Sequence, residues 1–385
     1  VKGGASGSEY LTDVVQVTAG NWHSMALKAN GTVYAWGWGQ YGQLGNGYTT
    51  NSDDTDKYSY EKIYSAPVQV LNGAQTSETG YLKEVVQIDA MGGTGRGEKN
   101  RFGTSLAVTE SKEVYGWGNS LYGALGVKSS IVSKPVRVGT DISNAVQVAG
   151  GGKSGSDDWH VNNIGNTGYT YILKEDGTVS SLGYNVNGEL GNGAKASTTA
   201  VQKVSNLTEI MQVAGSKNGN FGAAVKEDGT VWTWGNNTNG QLGNNSTENS
   251  SSPVQVKSAD GNGYLTNIIE ISAGSGHNMA LRNDGTVWTW GSNTYGQLGN
   301  GSSVNSMLPV QVKSADGNSF LADIVQISAG YVHSMALKKD GTVWTWGRND
   351  GGQLGNNNTS NKSLPVQVKG GASGSEYLTD VVQVT

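Results

Sequence analysis

Cysteine is absent from all 385 positions, which excludes disulfide stapling and thiolate chemistry while leaving both cytosol and exterior open. Proline occurs only five times against 59 glycines, and no glycine triplet repeats, so the glycine excess is not that of a collagen-like chain. Charged residues make up 15% of the chain and the formal net charge is −5. That removes the basic footprint of a nucleic-acid binder. No apolar run approaches the roughly 20 residues that a membrane-spanning helix needs, and no targeting segment is visible at the start. The chain opens on Val rather than Met, so it reads as excised or processed.

Catalytic signatures are missing as well. There is no G-x-S-x-G elbow, no P-loop and no H-E-x-x-H pair. Asp53, Asp54 and Asp56 share an acidic loop but lack the glycine and closing glutamate of an EF-hand. The expectation is a protein that is not an enzyme and takes no cofactor and no metal.

What the chain has is repetition. Residues 1–18 (VKGGASGSEYLTDVVQVT) return unchanged as residues 368–385. Between them GTVYAWG begins at Gly31, and GTVWTWG begins at Gly229, Gly285 and Gly341. A fixed period means one supersecondary unit copied many times. Two neighbouring copies, 253–299 and 309–355, show the unit. PVQV reads as a short strand entered through proline. IIEISAG or IVQISAG is β-branched and alternating, hence a second strand. HNMALRNDG or HSMALKKDG gives a third, ending in Asp-Gly, a dipeptide suited to a two-residue hairpin turn with positive φ. GTVWTWG is the fourth, and N-x-x-G-Q-L-G-N leads to the next proline. No stretch has a helical period.

Four short antiparallel strands in about fifty residues mark a β-propeller blade. The W-G strand has six copies, at 31–37, 112–118, 177–183, 229–235, 285–291 and 341–347, the third (GTVSSLG) carrying Leu182 where the others have Trp. The expected fold is therefore an all-β propeller of six four-stranded blades spanning 1–385, with a seven-bladed or open array as the alternative. Trp36, Trp117, Trp234, Trp290 and Trp346 hold one position per blade, large enough to fill space between twisted sheets. Leu44, Leu125, Leu190, Leu242, Leu298 and Leu354 are expected to plug the loop after the W-G strand. His23, His277 and His333 share a place after Ala-Gly and are expected to make structural hydrogen bonds rather than bind an ion.

The run A-G-x-x-H-x-M-A-L-x-x-D-G-T-V-W-x-W-G-x-N-x-x-G-Q-L-G, read from Ala273 to Gly299, closely resembles the regulator of chromosome condensation repeat, in its bacterial-type form. The resemblance covers almost the whole chain. It implies a β-propeller, seven-bladed in most of that family, which includes a nucleotide exchange factor for a small GTPase, a plant ultraviolet receptor and a secreted bacterial inhibitor of β-lactamases. Fold alone does not choose among such functions.

Candidate functional residues come from insertions that break the repeat. Three of them, 48–65, 91–103 and 150–168, belong to consecutive units, and strand alternation sends all three to one face. They carry Tyr58, Tyr60 and Tyr64; Arg96, Lys99 and Arg101; and Asp157, Asp158, Trp159 and His160. Aromatics beside arginine are enriched in binding hot spots, and long loops on a rigid scaffold are where binding residues concentrate. Packing between adjacent units is the competing role for the same loops. The sequence favours a non-catalytic extracellular or cell-surface scaffold, an adhesion or filament-forming module acting through protein or glycan contacts and associating with itself through its identical terminal segments. The alternative is a dedicated protein-binding propeller, an enzyme inhibitor or a GTPase exchange-factor-like protein. Neither a nucleic-acid partner nor a membrane span is expected.

Overall fold

Val, Ile, Trp and Thr alternate with small residues along each repeat, and such residues fit a pleated, half-buried surface. The computed structural model describes residues 2–3, 9–49, 63–76, 80–92, 103–153, 167–370 and 376–385. It is an all-β propeller of six four-stranded antiparallel sheets, one for every W-G strand. The sheets span 14–69, 85–137, 145–203, 210–255, 268–311 and 324–367 and are called blades one to six. Helix among the described residues is a single 3-10 turn at Leu121–Gly123.

Blade five shows the build. Ile268–Ala273, His277–Arg282, Val287–Gly291 and Ser306–Gln311 pair in chain order, with Ala280 opposite Trp288 and Trp288 opposite Gln311. The proline strand thus closes the blade begun before it and does not open the next one. Pro309 lies inside that strand rather than at its start, and it is tolerated there because the strand is the sheet's outer edge, where a missing N–H breaks no ladder.

The hairpin turn also departs from expectation. Among the Asp-Gly pairs only the glycine has positive φ, +76° at Gly229 and +79° at Gly285, so the two-residue primed turn, which needs positive φ twice, does not form. Instead Asp228 Oδ1 accepts from the backbone N–H of Thr230 at 2.9 Å and from its hydroxyl at 2.6 Å, while Gly229 donates to Lys226 O. Those bonds hold the carboxyls of Asp176, Asp228 and Asp340 below their ordinary value.

The chain divides into two compact units: 1–186 with 196–203, and 187–195 with 204–385. Unit one holds blades one to three and unit two holds blades four to six. Within each unit the core lies between consecutive blades. Met279, Leu281, Val287 and Val312 of blade five pack on Ile324, Ile327, Ala329, Ala336 and Trp346 of blade six. Trp117, Trp234, Trp290 and Trp346 are fully buried, as are all six loop leucines. Trp36 is the exception, only half-buried. Each terminal copy begins alike, Lys2 pairing with Tyr10 and Lys369 with Tyr377.

Candidate binding face

The three insertions all belong to unit one, and the structure describes their stems. The first leaves blade one beside Trp38, which pairs with Ile63. The second leaves blade two where Gly92 pairs with Gly103. The third leaves blade three at Gly151, and its stem is closed by Lys153 and Thr167: Lys153 N–H donates to Thr167 Oγ1 and Thr167 N–H to Lys153 O, both at 2.8 Å. In blade one His23 stands opposite Gly37. The loop between first and second strands and the loop between third and fourth strands therefore share one edge of the blade, as alternation predicts.

Polar bridges tie the first strand and first loop of blade one to the stems of the second and third insertions. Asn21 Nδ2 donates to Gly92 O at 2.7 Å, linking blades one and two. Asp89 accepts the Thr18 hydroxyl at 3.3 Å and the Gly150 N–H at 2.7 Å, linking all three. Met91 lies against Gly150, where a Cβ would come within 2.6 Å of its sulfur. The stems are packed and hydrogen-bonded, so the insertions spring from a rigid floor.

Of the ten candidate residues, Tyr64 lies on this floor. It is half-buried, pairs with Gly37 and packs on the hydrophobic cluster of unit one. Tyr58, Tyr60, Arg96, Lys99, Arg101, Asp157, Asp158, Trp159 and His160 lie outside the described residues.

The repeated polar residues join blade to blade. His23 Nε2 meets the Ser105 hydroxyl at 2.9 Å, and that hydroxyl donates to Gln43 O at 2.8 Å. His277 Nε2 meets the Ser334 hydroxyl at 3.0 Å, which donates to Gln297 O at 2.8 Å. Burial pushes the His277 imidazole down to about 3, helped by the neighbouring His333. The serine gives its proton to a carbonyl, so the histidine must be the donor to the serine oxygen. This is structural bonding across a blade interface. Among the described residues no group of three or more His, Cys, Asp and Glu could hold a metal ion.

One set of joints is not legible in the sequence: a glutamine on the first strand of blades one, two and four, bonded to the backbone of the blade that follows. Gln16 Oε1 accepts from Ile88 N–H and its Nε2 donates to Ile88 O, both at 3.0 Å. Gln87 treats Val148 the same way, and Gln212 Oε1 accepts from Ile271 N–H. Blade five carries Glu270 there, accepting from Ile327 N–H at 3.3 Å, and burial pushes its carboxyl up to about 7. The visible signal was the recurrence of Gln or Glu two positions after the β-branched start of the strand.

Known proteins extend this picture. Residues 161–385 match the RCC1-like domain, and residues 14–43, 30–90 and 112–154 match the regulator of chromosome condensation (RCC1) repeat. The chain is 28% identical over 369 residues to the ultraviolet-B receptor UVR8 of Arabidopsis thaliana, covering 94% of this chain and 72% of that protein. It is 29% identical over 353 residues to the E3 ubiquitin-protein ligase HERC2 of Mus musculus, covering 90% of this chain but 6% of the ligase. Among solved structures, human WBSCR16 superposes with a TM-score of 0.70 at 22% identity, over 94% of this chain and 83% of that one. Prp20p of Saccharomyces cerevisiae superposes with a TM-score of 0.69 at 21% identity, over 94% and 78%. With its six W-G strands, buried tryptophans and plugging leucines, the chain belongs to the RCC1 repeat family.

Proposed function

We propose that this propeller is a protein-binding module that works without catalysis, through the three insertions of unit one. The observation that carries this reading is the bridged floor beneath them, Asn21 to Gly92 and Thr18 to Asp89 to Gly150. A rigid floor lowers the conformational entropy that a binding loop loses on contact. Prp20p, of the same fold, binds Gsp1p and histones, which supports a protein as the partner class. On this reading the partner at the loop face is a protein or a glycan, and further copies of the chain meet its terminal segments. The polar, low-charge Asn/Ser/Thr loops suit an extracellular or cell-surface scaffold, a setting we include in the proposal. An inhibitor or a GTPase exchange-factor-like ligand is the second reading, favoured by the content of the insertions, Arg96, Lys99 and Arg101 in one and Trp159 in another.

The test replaces residues 93–102 and 154–166 by short Gly-Ser linkers. The intact chain should capture a defined protein or glycan that the shortened chain, equally stable to denaturant, does not. Equal capture by both would contradict the proposal.

A further inference from the structure

The loops that follow the outer strands of blades four and five end in the same way. They run KSADGNGYL from Lys257 to Leu265 and KSADGNSFL from Lys313 to Leu321. Leu265 and Leu321 turn inward and are buried. Their backbone N–H groups donate to Val256 O and Val312 O at 3.0 Å. The residue just before each leucine faces the other way, since neighbours along an extended segment alternate. In both loops that residue is aromatic, and Tyr264 and Phe320 are each 54% exposed. Unit one repeats the arrangement once: Leu82 N–H donates to Val70 O, Leu82 is buried, and Tyr81 is 47% exposed.

The fold does not require a ring at that place. In the loop after blade two the inward residue is Ile142 and the outward one Asp141; after blade three they are Leu207 and Asn206. Elsewhere large aromatics go inside, as Trp117, Trp234, Trp290, Trp346 and Phe221 do. Phenylalanine has no polar atom to favour a solvent position, and burying such a side chain is worth about 1.5–3 kcal/mol. Phe320 forgoes that stabilisation, as a side chain kept for a partner does.

The rings stand on stiff supports. Tyr264 pairs with Lys257 and Phe320 with Lys313 across each loop. Ser258 N–H donates to Gly263 O and Ser314 N–H to Ser319 O, both at 3.0 Å. The Ser258 hydroxyl donates to Asp260 and the Ser314 hydroxyl to Asp316. The backbone N–H groups of Asn262 and Asn318 donate to the same carboxylates at 3.1 and 3.0 Å. These bonds hold both carboxyls below their ordinary value, and all four polar side chains are exposed. A ring already held in place loses little freedom on contact.

The chemistry of the loops selects the partner. Residues 257–264 and 313–320 carry one lysine and one aspartate each, so neither loop has the excess of one charge that a polyanion or polycation needs. One ring presents at most about 150–250 Å², well short of the roughly 800 Å² that each side of a standard protein interface buries. The loops are near-copies on consecutive blades, so a ligand that fits one meets the same groups at the next. An uncharged polymer of pyranose rings satisfies all three conditions. Its C–H faces stack on an aromatic ring, and its hydroxyls donate to a carboxylate and accept from an amide. We propose that Tyr264 and Phe320 are two stacking subsites for a neutral polysaccharide, whose hydroxyls are taken by Asp260, Asn262, Asp316 and Asn318. These loops leave the blade edge of the Asp-Gly turns, where Ile268 N–H donates to Gly229 O, and not the edge of the W-G loops. The proposal does not rest on the loop-face reading.

Native electrophoresis through gels containing soluble β-glucan, galactomannan, xyloglucan or pullulan is the test, with heparin as the polyanion control. At least one of the four neutral polymers should retard the parent chain, and heparin should not. Tyr264→Ala and Phe320→Ala should each weaken that retardation about tenfold. The double substitution should abolish it, because two subsites on one polymer reinforce each other. Phe320→Tyr keeps the ring and should keep the affinity. All these variants should hold the parent's denaturation midpoint, since the side chains lie outside the core. Migration unchanged by all four polymers overturns the proposal. So does stronger retardation by heparin, or a doubly substituted chain retarded as the parent is. Capture at the loop face is measured on different loops, so failure there and failure here are told apart.

Discussion

The indole N–H of Trp290 donates to the backbone carbonyl of Gln241 across 2.9 Å, joining blade five to the loop that closes blade four. The same joint recurs from Trp234 to Glu189 and from Trp346 to Gln297. One residue thereby fills the space between sheets and satisfies a loop carbonyl that would otherwise be buried without a partner. Trp290→Ala should lower stability by about 3–5 kcal/mol, the range for truncating a large buried aromatic. Trp36→Ala, at a half-buried site, should cost clearly less. Denaturant titration of the two variants checks both, and equal midpoints would contradict the assignment.

Glu270 stands where the other five blades carry glutamine: Gln16, Gln87, Gln147, Gln212 and Gln326. Its carboxyl is pushed up from 4.5 to about 7 by burial, so the folded chain keeps the proton to higher pH than the unfolded chain does. The stability linked to this group is present below about pH 4.5 and is lost as pH rises through 7. Glu270→Gln should therefore stabilise the protein above pH 7, by on the order of 2–3 kcal/mol from the size of the shift, and should change little at pH 4. Taking the difference between variant and parent at each pH removes the opposing contribution of the buried histidines. A difference independent of pH would show that Glu270 is not the group responsible.

Asn293 anchors the loop after the W-G strand of blade five. Its Oδ1 accepts from Leu298 N–H at 2.9 Å, and its Nδ2 donates to Ser302 O and Val304 O at 3.0 Å each. Asn237 and Asn349 do the same in their blades. Asn293→Ala strips several buried groups of partners at once, for an expected loss on the order of 2–4 kcal/mol. Asn293→Asp keeps the acceptor but loses both donated bonds, and its melting temperature should also fall.

Lys112 has φ +61° where four other blades place the glycine of an Asp-Gly pair. A side chain in that region is strained by roughly 1–2 kcal/mol. Lys112→Gly should relieve most of that strain, offset by the loss of its exposed pair with Glu175. A small rise in the denaturation midpoint is the expected result.

The blade was legible because its signals are local. Alternation around Trp288 and Trp290, the Asp284–Gly285 turn and the glycines flanking Leu298 each act within a few residues. What escaped is what depends on neighbours. In sequence order the proline strand heads the following blade, but it pairs with the W-G strand before it, since order along the chain does not say which sheet an edge strand joins. The Asp-Gly dipeptide suits a two-residue hairpin turn, but the Asp284 carboxylate bonds Thr286 and leaves positive φ to Gly285 alone. The Gln16-to-Ile88 joints span 72 positions and no local pattern announces their partner. For the loop face, strand alternation is enough to put the stem of each insertion at the edge of its blade where strands one and two and strands three and four are joined, whereas the packing of Tyr64 on the cluster of unit one is not legible in the sequence.

The loop face is tested most directly at Arg101 and Trp159, one in each of two insertions. Arg101→Ala and Trp159→Ala should leave the denaturation midpoint unchanged. Against the protein or glycan captured by the intact chain, each should weaken affinity by tenfold or more in calorimetric titration, as hot-spot truncations do. Affinities within twofold of the parent, or a midpoint that falls with either substitution, would show that the insertions are packing elements and that the binding surface lies elsewhere.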